Sequence, residues 1–160
     1  MSKTIERPTI AWIDGMQIPT GTHYYKQAVQ EVGFNIKLFG DVSSALEKLQ
    51  LQEYPFIFTE IELDPGRTNN PDIKRVIAQF DGEEPSKLLL PMIEYIRQTT
   101  GPNQASHIFV GGVYHPNFDA LFLDISKRVK SAGATDYICF MDVSAFGFRD
   151  YIKDLAFKKV

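Results

Sequence analysis

Acidic side chains gather around two of the most apolar short segments of this 160-residue chain. Asp14 directly follows the first such segment, and Glu60 lies within the apolar stretch Phe56–Ile61, with Glu62 and Asp64 close behind. Neighbouring carboxylates repel one another, and a hard cation such as Mg²⁺ relieves that repulsion through oxygen ligands. Asp14, Glu60 and Glu62 are therefore candidate metal ligands, with Asp64 as a further candidate. Carboxylates are also common in hydrated loops, and the residues leave that alternative open.

Other familiar catalytic and cofactor motifs are missing from the sequence. It contains no GxxxxGK[ST] or GxGxxG phosphate loop and no GxSxG nucleophile elbow. Gly111-Gly112 is a glycine pair that suits a tight exit from a strand. Cys139, the single cysteine, lies in an apolar segment, which favours a buried thiol over a nucleophile.

Short apolar segments alternate with amphipathic helical stretches along the chain. The strand candidates are residues 9–13, 35–39, 56–61, 107–111 and 137–140. The helical stretches, with apolar residues at i, i+3, i+4 and i+7, lie near 25–32, 42–49, 73–80, 89–96, 118–129 and 148–155. Repeated strand–helix units predict a parallel sheet with helices on both faces. Ligands of such sheets bind beyond the carboxyl ends of the strands, where the carboxylates lie.

Several helix boundaries are marked by particular residues. Asn70 and Pro71 suit the N-cap and the first position of a helix, whereas Gly33 and Gly133 suit helix ends. Pro91 falls inside a helical stretch, where an interior proline costs about 3 kcal/mol. We therefore expect that helix to begin near Pro91 or to kink there.

The composition narrows the class of protein and its partners. The chain has 17 Lys and Arg against 20 Asp and Glu, a formal net charge of −3, and 44% hydrophobic residues, as in ordinary globular proteins. No apolar run reaches the length of a membrane span, and residues 1–6 lack the apolar core of a signal peptide. We expect a cytoplasmic protein with no membrane partner and no direct nucleic-acid binding.

Four passages resemble the receiver domain of bacterial two-component response regulators. Ile10–Gly15 is similar to that family's first strand with its acidic pair, and Val32–Leu49 to the helix end, strand and helix that follow. Tyr54–Glu60 resembles the strand that leads to the phosphorylated aspartate. Ser131–Ile138, which reads SAGATDYI, resembles the family's AGA-x-DY passage and is the most specific of the four.

The resemblance implies a fold and a domain boundary. It implies a flavodoxin-like (CheY-like) three-layer sandwich with a five-stranded parallel sheet in the order 2-1-3-4-5. An extra helix is expected between the third strand and the fourth. Residues 1–160 would form a single receiver-like domain, with residues 64–87 as an insertion outside the match.

The chain departs from the family at the phosphorylation site. The resemblance aligns the family's acidic pair with Asp14 and Gly15, its phosphorylated aspartate with Glu60, its switch hydroxyl with Gly111 and its lysine with Phe140. A displacement of about 1 Å can cost around a hundredfold in rate, and without a lysine the transferred phosphoryl group loses a cationic partner. We therefore predict a degenerate site without phosphotransfer or other enzyme activity. Glu60 is either a fixed negative charge that imitates a phosphorylated aspartate or a polar residue tolerated at an inactive site.

These departures predict a stand-alone degenerate receiver that acts as a phosphorylation-independent protein-interaction or regulatory module in bacterial signal transduction. The expected partner is a signalling protein, namely a histidine kinase, a regulator or an effector, with a homodimer as a further expectation. The resemblance implies that partner contacts lie on a face built from residues 118–159, where the candidate partner-binding residues are Phe146, Phe157 and Lys153.

Two alternatives remain open from the residues. One is a metal-dependent phosphotransfer or hydrolase enzyme that uses the Asp14 and Glu60 carboxylates, and the other is a flavodoxin-like binder of a small ligand. No cofactor is expected in the main interpretation, whereas Mg²⁺ at the acidic set belongs to the first alternative.

Overall fold

The computed structural model describes residues 8–15, 22–80, 85–113 and 124–157. The strands are β1 (Thr9–Ile13), β2 (Asn35–Phe39), β3 (Phe56–Thr59), β4 (His107–Gly112) and β5 (Asp136–Cys139). The helices are α1 (Thr22–Glu31), α2 (Val42–Leu49), α3 (Pro71–Ile77), α4 (Leu89–Gln98), α5 (Ile125–Ala132) and α6 (Ala145–Phe157). A 3₁₀ turn, Pro85–Leu88, precedes α4.

The five strands form one parallel sheet in the order β2-β1-β3-β4-β5, which confirms the predicted topology. The central strand β3 is buried at every residue, as expected for a strand with helices over both faces. It is shorter than predicted and ends at Thr59, whereas β4 extends to Gly112, which pairs with Cys139.

Alternating side chains divide the apolar core into two layers. Ile10 and Trp12 of β1 point to the face covered by α1 and α6. Ala11 and Ile13 point to the opposite face, which α2, α4 and α5 cover. The period-two alternation of a strand thus gives the sandwich its two separate cores.

The extra helix predicted between the third strand and the fourth is α3. Asn70 caps it, because its side-chain oxygen accepts hydrogen bonds from the backbone N–H groups of Asp72 and Ile73. Ile73 and Val76 are buried in the core layer that contains α2. The helix ends at Ile77, three residues before the predicted end.

The chain just before α3 also completes the start of α2. The backbone N–H of Val42 donates to the carbonyl of Asp64 at 2.9 Å, and that of Ser43 donates to the carbonyl of Pro65 at 3.2 Å. Gly66 has a φ of +68°, and a Cβ there would lie 2.3 Å from Oδ1 of Asp41, the N-cap of α2. These contacts join residues 64–66 to the start of α2.

Two further helix predictions can be compared with the described residues. The helix α4 begins at Leu89, so that Pro91 lies in its first turn, where a proline needs no N–H partner. Of the predicted helix near 118–129, residues 118–123 lie outside the described residues, and α5 begins at Ile125. No helix in the described ranges is long and apolar enough to cross a membrane.

Two phenylalanines on α6 provide a direct test of this packing. Phe148 is 1% exposed and contacts the rings of Trp12 and Phe58, whereas Phe146 is 62% exposed. We expect Phe148→Ala to lower the free energy of unfolding by about 3–5 kcal/mol because it leaves a cavity. The matched variant Phe146→Ala should change it by less than about 0.5 kcal/mol. Urea unfolding of the two variants checks the difference, and equal losses would contradict the assigned core.

Candidate functional site

Asp14 and Glu60 lie side by side at the carboxyl edge of the sheet. Ile13 pairs with Thr59 in the parallel register of β1 and β3, and the N–H of Glu60 donates to the carbonyl of Ile13 at 3.1 Å. Gly15, two residues beyond the end of β1, closes the pair, because its N–H donates to Oε2 of Glu60 at 2.9 Å. Three of the predicted site residues therefore meet at one point.

A lysine on α1, which the sequence did not single out, completes this acidic pair. Nζ of Lys26 lies 2.8 Å from Oδ1 of Asp14, and both side chains are partly buried. The same ammonium group lies 5.3 Å from the centre of the Trp12 ring, within the range of a cation–π interaction. The helix α1 thus delivers a positive charge to the end of β1.

Glu60 is buried, with 4% of its surface exposed. No hydrogen-bond donor among the described residues reaches its Oε1. Burial raises the pKa of Glu60 from 4.5 to about 7; the Asp14 side chain raises it too, against lowering contributions from the Gly15 N–H and Lys26. A proton on Glu60 supplies the donor that a carboxyl–carboxylate contact with Asp14 needs.

This environment bears on the two interpretations of Glu60. Because burial raises the pKa of Glu60 to about 7, this group is not fully ionised at neutral pH. Glu60 then carries much less charge than a phosphoryl group, which bears about −1.5 to −2. The burial of Glu60 and its raised pKa therefore both reduce its resemblance to a phosphorylated aspartate.

Gly111 and Phe140, the two other predicted site residues, meet each other on the α1 and α6 face. A Cβ built on Gly111 would lie 2.6 Å from Cζ of Phe140 and 2.2 Å from Cζ of Phe58. The rings of Phe58 and Phe140 are stacked with their centres 6.1 Å apart. Aromatic carbon therefore fills the space where the resemblance expects a hydroxyl side chain at position 111.

Tyr25 of α1 holds this aromatic arrangement in place, and it too was missed from the sequence. Its ring lies 4.4 Å from that of Phe140, and its hydroxyl donates to the carbonyls of Phe140, at 3.3 Å, and Val143. Burial raises the pKa of the Tyr25 phenol, which keeps the hydroxyl protonated as a donor. Tyr25 and Lys26 are consecutive residues, so one turn of α1 serves both halves of the site.

The predicted three-ligand metal set is not assembled. Among the described residues, no three His, Cys, Asp or Glu side chains form a group that could hold a metal ion. Glu62 therefore does not form such a group with Asp14 and Glu60; β3 ends at Thr59, and residues 61 and 62 lie in a bend. Asp64 instead serves the start of α2 through its carbonyl, while its Oδ1 accepts from the N–H of Gly66 at 2.9 Å.

The predicted partner-binding residues lie on α6. Phe146 borders a groove of about 500 Å³, whose opposite wall is formed by α1 residues such as Tyr24 and Ala28. It therefore faces α1, whereas the sequence interpretation placed it on a face built from residues 118–159. Lys153 is exposed on the same helix, and the side chain of Phe157 lies outside the described residues.

Comparison with solved structures identifies the architecture. The chemotaxis response regulator CheY4 of Vibrio cholerae superposes with a TM-score of 0.61 at 12% identity, covering 92% of this chain and 98% of that one. A response regulator from Thermotoga maritima gives 0.60 at 21% identity, covering 92% and 96%. This chain has the receiver fold. No protein-family model matches the sequence, and no curated protein matches it significantly.

A third receiver structure makes the question of a metal ion concrete. The receiver domain of sensor histidine kinase PA1611 from Pseudomonas aeruginosa, with a magnesium ion coordinated in its active site cleft, has a TM-score of 0.57 at 15% identity, covering 92% of this chain and 93% of that one. The donor set here suits such an ion poorly. Gly15 offers no carboxylate, and Asp14 already binds the Lys26 ammonium. Near a protein surface, a single positive charge about 4 Å from that ammonium group would be repelled by about 4 kcal/mol. A divalent ion at the same distance would be repelled by about twice as much.

The contact between Gly111 and Phe140 predicts a stability effect. We expect Gly111→Ser to lower the free energy of unfolding by about 1–3 kcal/mol, because the new side chain overlaps two aromatic rings. Phe140→Ala in the same chain should recover part of this loss. Gly40→Ser is the control, since a Cβ at Gly40 meets nothing within 4 Å. A double-mutant cycle measured by urea unfolding checks the coupling, and strict additivity would argue against it.

The raised pKa of Glu60 predicts a pH dependence of stability. The folded protein holds this proton with a pKa of about 7, against 4.5 when the group is unperturbed. The free energy of unfolding should therefore fall as the pH rises from about 4.5 to about 7, by at most about 3 kcal/mol, and change little through this group above that. Glu60→Gln should remove this part of the pH profile. Chemical unfolding at several pH values measures it, and an unchanged profile in Glu60→Gln would assign the dependence to another group.

Proposed function

We propose that this chain is a degenerate receiver domain, spanning residues 1–160, that acts as a phosphorylation-independent protein-interaction module in bacterial signal transduction. The observation that carries the proposal is the packing of Phe140 over Gly111. In this interpretation the module is not an enzyme, and its function lies in its surface.

The polar half of the site supports this interpretation. A carboxylate that accepts a phosphoryl group needs an accessible oxygen and positive charge around the transferred group. Glu60 is buried, and its Oε2 already accepts from Gly15. The nearby cation, Lys26, is paired with Asp14.

The surface that supports an interaction role lies between α1 and α6 and is called here the α1–α6 groove, lined by Tyr24, Tyr25, Gln27, Ala28, Glu31, Ser144, Ala145 and Phe146. Tyr24 and Phe146 are large exposed aromatic residues in this lining. The guanidinium of Arg149 lies 5.0 Å from the centre of the Phe146 ring and holds one side of it. Exposed aromatic and arginine side chains are enriched at protein interfaces.

The structures with the same fold suggest the class of partner. They include a chemotaxis response regulator and a receiver that belongs to a sensor histidine kinase. We assign the groove to a signalling protein of this kind, namely a histidine kinase, a regulator or an effector. A second copy of the chain would occupy the groove if the module forms a homodimer.

Exposure to a small phosphodonor tests the absence of phosphotransfer. Incubated with acetyl phosphate and Mg²⁺, the protein should show no phosphoryl adduct by intact-mass spectrometry, because Glu60 is enclosed and its neighbouring cation is engaged. A receiver with an ordinary aspartate at its site, treated in parallel, provides the positive control. An adduct on Glu60 or Asp14 would refute the proposal.

Binding measurements test the proposed surface. A photo-crosslinking residue at position 146 should capture the partner, whereas the same residue at position 51 should not, because Leu51 is exposed but lies outside the groove. With the purified partner, Phe146→Ala should weaken binding roughly tenfold or more, and Leu51→Ala should leave it unchanged. Calorimetry with and without acetyl phosphate should give the same Kd. A Kd that tightens only with the phosphodonor would contradict phosphorylation independence.

A further inference from the structure

We infer that the Lys26 ammonium group neutralises the Asp14 carboxylate in place of a metal ion. It thereby prevents divalent metal ions from binding at this site. The inference deepens the proposed function, because it assigns a cause for the loss of metal-dependent chemistry at this edge of the sheet. It rests on the Lys26–Asp14 ion pair and on its surroundings.

The first argument is the position of the ammonium group. Nζ of Lys26 lies 2.8 Å from Oδ1 of Asp14, a carboxylate that a metal ion at this edge would need. The lysine side chain is 20% exposed, so that water screens the pair less than it would screen an ion pair on the open surface. A divalent ion would have to displace the ammonium or accept its repulsion.

The second argument is that the lysine is held from more than one side. Its ammonium group lies 5.3 Å from the centre of the Trp12 ring, and Trp12 is fully buried against Phe58. The neighbouring Tyr25 fixes the same turn of α1 through its hydrogen bonds to the carbonyls of Phe140 and Val143. The anchored turn keeps the backbone of Lys26 close to the end of β1, and the Trp12 ring gives its ammonium group a second contact besides Asp14.

The third argument is the oxygen that remains without a partner. Glu60 Oε1 is buried, and no hydrogen-bond donor among the described residues reaches it. With the lysine absent, the Asp14 carboxylate would lose its cationic partner and would still lie beside the Glu60 side chain. Such a pair favours a hard divalent ion, so removal of Lys26 should open the site to metal.

Calorimetric titration with Mn²⁺ and Mg²⁺ at pH 8 tests the inference. We expect Lys26→Met to bind Mn²⁺ about tenfold or more tightly than the unaltered protein. Lys37→Met is the matched control, because it removes the same charge from an exposed lysine on β2, and it should leave Mn²⁺ binding unchanged. The double variant Lys26→Met/Asp14→Asn should lose the gained affinity, which would place the ion at Asp14.

Nuclear magnetic resonance gives a readout at the site itself. The amide of Gly15 donates to Glu60, so that Mn²⁺ should broaden the Gly15 amide signal selectively in Lys26→Met and not in the unaltered protein. If Lys26→Met does not fold, Lys26→Gln is the second variant, and tight Mn²⁺ binding by the unaltered protein would overturn the inference without any variant.

The outcomes separate this inference from the proposed function. Tight binding of Mn²⁺ by the unaltered protein, or no gain in a folded Lys26 variant, would overturn the role of Lys26. The proposed function would still stand in either case if acetyl phosphate leaves no adduct. Conversely, an adduct on the unaltered protein would refute the proposed function even if Lys26→Met gained affinity for Mn²⁺.

Discussion

The aromatic layer between the sheet and the α1–α6 pair is the constraint on which the rest of the site depends. The ring of Phe58 stacks on Trp12 with centres 3.9 Å apart and also contacts Phe140 and Phe148. The rings of this layer leave no room for a side chain at position 111, and α1 packs against them. Because Trp12 also lies beneath Lys26, the apolar core and the charged edge of the site belong to one packed unit.

The residues that depart from the receiver resemblance lie in contact with one another in pairs. The sequence presents Gly111 and Phe140 as two losses, a missing hydroxyl and a missing lysine. The structure shows them in contact, since the ring of Phe140 occupies the space that a side chain at position 111 would need. Gly15 and Lys26 form a similar pair around Asp14 and Glu60: one supplies an N–H in place of a carboxylate, and the other supplies the positive charge.

The sequence predicts the fold and the pairing of Asp14 with Glu60, but not the contacts that Lys26 and Phe140 make at the site. Period-two and period-3.6 patterns report which faces are buried, so the five strands and their parallel arrangement follow from them. Asp14 and Glu60 were found because adjacent parallel strands end at one edge. Lys26 was not found, because its reach to Asp14 depends on how α1 is rotated over the sheet, which local spacing does not record. The orientation of the Phe140 ring over Gly111 is equally invisible in the sequence.

The segment before α3, together with α3 itself, supports the packing of α2. Asp64 and Pro65 give their carbonyls to the first N–H groups of α2, and α3 buries Ile73 and Val76 in the same core layer. Excision of residues 64–80 would strip two amides of their acceptors and uncover an apolar patch on α2. The extra segment is therefore an integral part of the scaffold, and the chain cannot be trimmed to a minimal receiver without redesign of the start of α2.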